Sequence, residues 1–274
     1  MFEGKVWWVT GASSGIGQAL AAELAARGAS LILSGRNEAA LAEALARIGG
    51  NGLVLPFEAT DFGYIGDIVE RAWSFAAERA GGLYGLINNA GITQRSLAVN
   101  TSFEVYRRIV DVDLLGPIAL TQALLPRLVQ KGEGQVVAIS SVAGICGAPM
   151  RSAYSAAKHG LIGYHDALRA ETAHLGLKVL VVAPGSVRTN VAKNALTGSG
   201  ATRGVSDSII DSGMDPGVAA TRILAAVADG TRELILAEGA EAESARLRRA
   251  DPDRLFDRMA NLVANGYAKL FENT

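Results

Sequence analysis

The sequence predicts an α/β fold: a doubly wound parallel sheet with helices on both faces, built as one domain over residues 1–274. Three observations carry this. Apolar runs of strand length alternate with longer helical patterns along the whole chain. The strand candidates read as continuous apolar runs, the mark of strands covered on both faces. Glycine is abundant (32 residues) while aromatic residues make up only 6%, as tight strand-to-helix turns require.

Taken in order, VWWVT (Val6–Thr10) is the first buried strand, followed by a helix over 15–27 that stops at Gly28. SLILS (Ser30–Ser34) is the second strand, with a helix over 38–48. GLVLPF (52–57) is the third, with a helix over 65–79. YGLIN (84–88) is the fourth, and helices fill about 102–131. QVVAIS (135–140) is the fifth, with a helix over 152–174. LKVLVVA (177–183) is the sixth. Residues 190–214, rich in Gly, Ser and Asn, read as a mobile loop and a substrate lid. A helix over 215–229 and a last strand ELILA (233–237) follow, then a charged helical extension over about 240–274. No linker, composition break or internal repeat divides the chain.

Hydrophobic residues make up 49% of the 274, enough for a large core. Twenty-six basic and 27 acidic residues leave a net charge of −1, which gives no reason to expect a nucleic-acid partner. Cys146 is the single cysteine, so an internal disulfide and a thiolate metal cluster are both excluded, and a reducing compartment is expected. The opening MFEGKVWWVTG enters a strand directly, without the pattern of a signal peptide. No run approaches ~20 uninterrupted apolar residues. These readings predict a cytoplasmic protein without a membrane segment.

Ligands of such sheets bind at the carboxyl ends of the strands, and the motifs gather there. TGASSGIG (residues 10–17) follows the first strand and opens the first helix. Glycines let the backbone turn tightly and approach a ligand, and the helix start offers unpaired N–H groups to a pyrophosphate. The spacing G-x-x-x-G-x-G is one residue longer in its first gap than the usual Rossmann dinucleotide fingerprint. The second strand ends LILSGRNE. Gly35 stands where a carboxylate would hold the ribose 2′-hydroxyl of NAD, and Arg36 follows, which favours NADP(H), with NAD(H) as the other option. Tyr154 and Lys158, four apart amid Ala, Ser and Gly, share one face of a helix. An amine one turn from a phenol favours the phenolate a base needs, and small neighbours admit a ligand.

Together, TGASSGIG, NNAG (residues 88–91), ISS (139–141), YSAAK (154–158) and PGSVRT (184–189) resemble the short-chain dehydrogenase/reductase family, over about residues 4–190. GPIALTQALLP, VVAISSVAG, RSAYSAAKHG and the late LILA strand resemble its dehydrogenase/reductase member 7 subgroup. Members of that subgroup carry an N-terminal membrane anchor, which is not expected here. The resemblance implies an NAD(P)-dependent oxidoreductase acting on a secondary alcohol or carbonyl. Tyr154 would be the acid/base, Lys158 would hold the nicotinamide ribose and tune the phenol, and Ser141, thirteen residues before Tyr154, would bond the substrate oxygen. Thr10, Gly11, Ser13, Ser14, Gly15, Ile16 and Gly17 would form the phosphate loop. Glu58 and Ala59 (Asp-Val in many members) would lie near adenine. Asn88, Ala90 and Gly91 would line the ribose side. Pro184, Gly185, Val187 and Thr189 would close over the nicotinamide.

Besides the conservative departure at Glu58-Ala59, the pattern breaks on the helix before the fifth strand. The family's helical N-L-x-G segment reads DVDLLG here, placing Asp113 where Asn helps hold a water beside the lysine. Asp113 is therefore expected to act on Lys158 and to alter the pH dependence, or else to pair locally without catalytic effect. His159, His165 and His174 lack the spacing of a metal site, and no metal is expected. Cys146 reads as a packed residue, and Trp7 and Trp8 as core. RLRRADPDR (246–254) reads as a solvated helical face or an oligomer contact. The resemblance implies a homodimer or homotetramer through the helices over 102–130 and 152–174, where Gly160, Gly163 and Ala167 would allow close approach. The substrate class suggested is an apolar alcohol or ketone, such as a lipid, steroid or aromatic carbonyl. Two other readings remain: a non-catalytic NADP-binding sensor or scaffold on the same fold, and an isomerase or epimerase working through transient oxidation.

Overall fold

A computed structural model describes residues 1–271; residues 272–274 of the expected C-terminal extension lie outside the described part. Seven strands form one parallel sheet in the order β3-β2-β1-β4-β5-β6-β7. They are β1 (Val6–Thr10), β2 (Ser30–Ser34), β3 (Gly52–Val54), β4 (Leu83–Asn88), β5 (Gly134–Ile139), β6 (Leu177–Pro184) and β7 (Glu233–Leu236). The chain runs outward from β1 to β3, then returns to pair β4 on the other side of β1. Strand order reverses between β1 and β4, and a crevice opens there at the carboxyl edge.

Side chains of adjacent strand residues point to opposite faces, so the tandem tryptophans of β1 split between the two layers. Trp7 packs with α1 (Gly15–Ala26) and α8 (Pro216–Ala228) in a core that includes Leu20, Leu24, Ile223 and Leu224. Trp8 packs in the opposite core with Ile68, Ala72, Leu120 and Leu124 of α3 (Ile65–Ala80) and α5 (Gly116–Lys131), and donates to Ser34 Oγ at 2.8 Å. Helix starts carry their caps: Asn37 accepts from Ala40 N ahead of α2 (Glu38–Arg47), and Asp215 accepts from Gly217 N ahead of α8, whose first residue is Pro216.

Three expectations are refined. The third strand stops at Val54, because Pro56 has no N–H for the ladder, although Leu55 N and Phe57 N still bond Leu33 O and Gly35 O. The helices expected over 102–131 are α4 (Phe103–Val110) and α5, joined by a π turn (Asp111–Leu115). Pro117 cannot donate to the carbonyl four residues back, and Gly116 N bonds Asp111 O, five back, so the ladder slips by one residue. Residues 190–214, expected to form a mobile lid, carry backbone bonds to their surroundings: Leu196 N bonds Thr93 O, Arg95 N bonds Leu196 O and Met214 N bonds Ser186 O, and residues 208–211 form the short helix α7 (Ser208–Asp211).

By length and mean hydropathy (1.4), the stretch Phe103–Lys131 is also long and apolar enough to cross a bilayer, which the search for uninterrupted apolar runs did not anticipate. In the fold its Leu120, Leu124 and Leu128 pack on the sheet. α6 (Ser152–Thr172) covers β5 and β6 and meets α4 and the π turn. On α6, Gly160 is used within the chain, against Leu114, while Gly163 and Ala167 face outward. Beyond β7, α9 (Gly239–Ala250) and α10 (Pro252–Ala264) form a hairpin stapled by Arg258–Glu243 at 2.9 Å. A final turn then brings Tyr267 and Ala268 back against Met150.

Candidate active site

A cleft of about 550 Å³ opens along the carboxyl edge of the sheet. At one end lies the turn between β1 and α1. Gly11 (φ 64°) and Gly15 (φ 56°) adopt left-handed backbone, and a Cβ on Gly15 would stand 2.9 Å from Thr189 Cγ2. Ser14, the N-cap of α1, makes no side-chain cap bond, so the first N–H groups of this twelve-residue helix face the cleft without a side-chain partner. Thr10 organises the floor: its Oγ1 accepts from Asn89 N (3.0 Å) and Ala90 N (3.1 Å). Uncapped N–H groups over glycines that a Cβ would crowd fit a pyrophosphate.

Next along the cleft, Gly35, Arg36, Glu58 and Ala59 form a shallow wall. A Cβ on Gly35 would meet nothing closer than 3.7 Å, so the space a carboxylate would fill is open. Arg36 is mostly exposed and lies 3.9 Å from Glu58, a loose pair that leaves its guanidinium available.

In the middle, α6 presents Tyr154 and Lys158. The Lys158 ammonium is buried, 5.5 Å from the Tyr154 ring centroid, 3.1 Å from Asp113 Oδ2 and 3.2 Å from Ile139 O. The π turn places the fully buried Asp113 there, and Ile92 N donates to its Oδ1 at 2.8 Å. A Cβ on Gly91 would stand 2.8 Å from Asp113 Oδ2, so only glycine fits beside the pair. Burial works against the Lys158 ammonium, but the Asp113 carboxylate and the Tyr154 oxygen outweigh it, and its pKa rises above the usual lysine value. Burial raises the Asp113 carboxyl, against the pull of Lys158 and the Ile92 N–H. Ser141 accepts from Ala143 N (3.1 Å) and makes a long bond to Pro184 O (3.4 Å). Ser140 is committed elsewhere, to the Lys158 carbonyl at 3.0 Å. On the facing wall, Glu241 of α9 accepts from Ser186 N (2.7 Å) and Ser186 Oγ (2.9 Å), pinning the turn that carries Gly185 and Val187.

The far end is formed by residues 93–95, the start of α6 and the lid. Gln94 Oε1 accepts from Ala153 N (2.9 Å) and Tyr154 N (3.4 Å). Arg95 donates to Asp207 Oδ2 from Nε (3.1 Å) and Nη2 (2.8 Å), and Arg203 stands 3.6 Å from the same oxygen. Burial, with the nearby Arg151 charge, pushes Arg95 down to about 10, still protonated at neutrality.

Nearly all the residues expected at the site line this one cleft. Two are placed otherwise. Asn88 is buried on β4 and donates to Thr121 Oγ1 at 2.9 Å, because adjacent residues leaving a strand point to opposite sides. Gly17 packs rather than lines, since a Cβ there would overlap Gly11 O and Asn89 Nδ2. Sequence reasoning missed Asn89, which holds Thr10 O (2.9 Å) and Gly11 O (3.3 Å); the doubled Asn in NNAG was the available signal. Gln94, Arg95, Asp207 and Glu241 were also missed and lie outside the motifs, and Arg151 was missed although it opens RSAYSAAKHG.

The family model for short chain dehydrogenase matches residues 5–199. This chain belongs to the short-chain dehydrogenase family. The dehydrogenase is 39% identical over 262 residues to dehydrogenase/reductase SDR family member 7B of Danio rerio, covering 94% of this chain and 85% of the relative. The subgroup resemblance is thus upheld, and the protein is an oxidoreductase of the dehydrogenase/reductase type. Two solved structures share the dehydrogenase's fold. A Burkholderia phymatum short-chain dehydrogenase/reductase in complex with NAD has a TM-score of 0.80 and 22% identity, covering 92% of this chain and 95% of its own. A Burkholderia cenocepacia short-chain dehydrogenase in complex with NADP has a TM-score of 0.78 and 24% identity, covering 94% and 98%.

Proposed function

We propose that this dehydrogenase interconverts a secondary alcohol and a carbonyl compound with NADP(H), Tyr154 serving as general acid in reduction and base in oxidation. The observation that carries the reading is Tyr154, Lys158 and Ser141 lining one cleft with the glycine turn. The bound nicotinamide supplies or accepts the hydride. Thr10, Gly11, Ser13, Ser14, Gly15 and Ile16 would hold the cofactor's phosphates, and Val187 and Thr189 would flank its nicotinamide. Tyr154 Oη gives a proton to the carbonyl oxygen as negative charge develops there. Ser141 exchanges its long bond to Pro184 O for one to the same oxygen. The Lys158 ammonium, fixed by Asp113 and Ile139 O, stabilises the phenolate left behind.

NADP over NAD is supported by Arg36 beside open space at Gly35. A homo-oligomer is supported by exposed Phe103 and Leu115 and by outward-facing Gly163 and Ala167, and is tested by light scattering. The buried free thiol of Cys146 is compatible with the cytoplasm.

The experiment is oxidation of NADPH, with NADH alongside, against a panel of ketones. Turnover should fall about a thousandfold in Tyr154→Phe. Failure of every ketone with tight NADPH binding retained would favour the non-catalytic sensor. The observation on that side is the Asp113 carboxylate, which offsets the Lys158 charge at 3.1 Å.

A further inference from the structure

The part of the cleft beyond Tyr154 does not match an apolar substrate. Arg95 and Arg151 line it beside residues 93–95 and the start of α6, and Arg108 also lines the cleft. Among the described residues, the carboxylates that reach the cleft are Glu58, beside Arg36, and Asp113, paired with Lys158. Arg95 is buried and satisfied from behind by Asp207, which also faces Arg203. Arg151 lines the cleft, and among the described residues its hydrogen-bonded atoms are those of the backbone, N to Ala148 O and O to Ser155 N.

The backbone that leads into Arg151 is held in a fixed conformation. Met150, immediately before it, is the non-glycine residue with left-handed φ (63°) among the described residues. Such a conformation persists only where surrounding contacts impose it. Here Ser96 N bonds Met150 O at 3.1 Å, and Leu97, Tyr267 and Ala268 pack on the side chain. Arg151 also sits at a fixed offset from the reacting group, three residues before Tyr154 on the helix start that Gln94 grips. A neutral ketone would desolvate a half-buried guanidinium with nothing in return. A carboxylate or phosphate would pair with it, in the forked geometry arginine favours.

We propose that the substrate is a carbonyl compound, or the corresponding alcohol, bearing an anionic group that Arg151 binds while Tyr154 addresses the carbonyl. This rests on Tyr154 being the acid/base. Arg95 is the positioning residue that, through Asp207, anchors the lid over the anion.

The test uses matched aryl ketones on the full chain with NADPH: 4-acetylbenzoate against its methyl ester, and 4-acetylphenyl phosphate against 4-methoxyacetophenone. The wild type should prefer each anion over its neutral partner about tenfold in kcat/KM, mainly through KM. In Arg151→Gln that ratio should fall to about one, and in Arg151→Glu the neutral compound should be preferred. The larger response of the two pairs tells carboxylate from phosphate. Equal use of anionic and neutral partners by the wild type would overturn the proposal. So would a loss in Arg151→Gln that is equal for both, the result of a merely structural role. Calorimetry of the same compounds on NADPH-loaded protein separates the two readings. Tighter binding of the anion, abolished in Arg151→Gln, supports the anion site even where no ketone turns over and the redox reading fails. Equal binding of both partners rejects the anion site even where Tyr154-dependent turnover of neutral ketones stands.

Discussion

Lys158 is the most constrained residue of the site: a buried ammonium held between a carboxylate at 3.1 Å and a carbonyl at 3.2 Å. Asp113 secures its charge and at the same time spends part of its field, because the potential Tyr154 feels is that of a pair. Asp113→Asn removes the negative half. The phenolate is then better stabilised, and the acidic limb of the alcohol-oxidation profile should move to lower pH by roughly one unit, with activity retained. A kcat/KM profile that does not move would assign Asp113 a packing role only. The sequence announced this residue by a single departure from the family pattern, DVDLLG for N-L-x-G. It could not announce the 3.1 Å distance, because that depends on a π turn which no side-chain periodicity records.

At the scale of elements, strands were the most readable feature. VWWVT and SLILS form the strands their apolar runs predict, and the polar residues that end them, Thr10 and Ser34, are buried with hydrogen bonds to Ile87 O and Leu55 O. Phosphate and phenol motifs were legible because short stretches of chain carry them whole. The rest was illegible for the opposite reason: Glu241 reaches Ser186 across 55 residues, and Asp207 reaches Arg95 across 112, with no pattern local to either. α9 thereby acts as a brace for the turn after β6. Glu241→Gln keeps the shape but loses the charge-assisted pair of bonds, and should weaken NADPH binding about tenfold with a smaller change in kcat. Fluorescence titration of the cofactor checks this; unchanged affinity would show that the turn holds itself.

For the whole molecule, acid stability turns on a group two turns beyond Lys158 on the same helix. His165 is fully buried on α6, its Nδ1 bonded to Leu161 O at 2.8 Å, and burial lowers its pKa to about 4. Unfolded, the imidazole takes a proton near 6.5, while the folded state refuses it until about 4. The unfolded chain therefore binds more protons in that window, and stability falls as pH drops through it, by about 3 kcal/mol when complete. In His165→Gln, urea midpoints between pH 7 and 4 should decline less steeply than in the wild type. Parallel declines would show that other groups set the acid limit. The tandem tryptophans of β1 have a different use. Trp7 and Trp8 report on opposite layers of one sheet, and the strand that carries them is bonded to β4, with Thr10 reaching Ile87 across 77 residues. Contacts so distant in sequence close late and slowly in refolding. In a Trp73→Phe background, single Trp7→Phe and Trp8→Phe variants would each leave one indole in the chain, so stopped-flow emission can time the two halves of the core against each other without an added label.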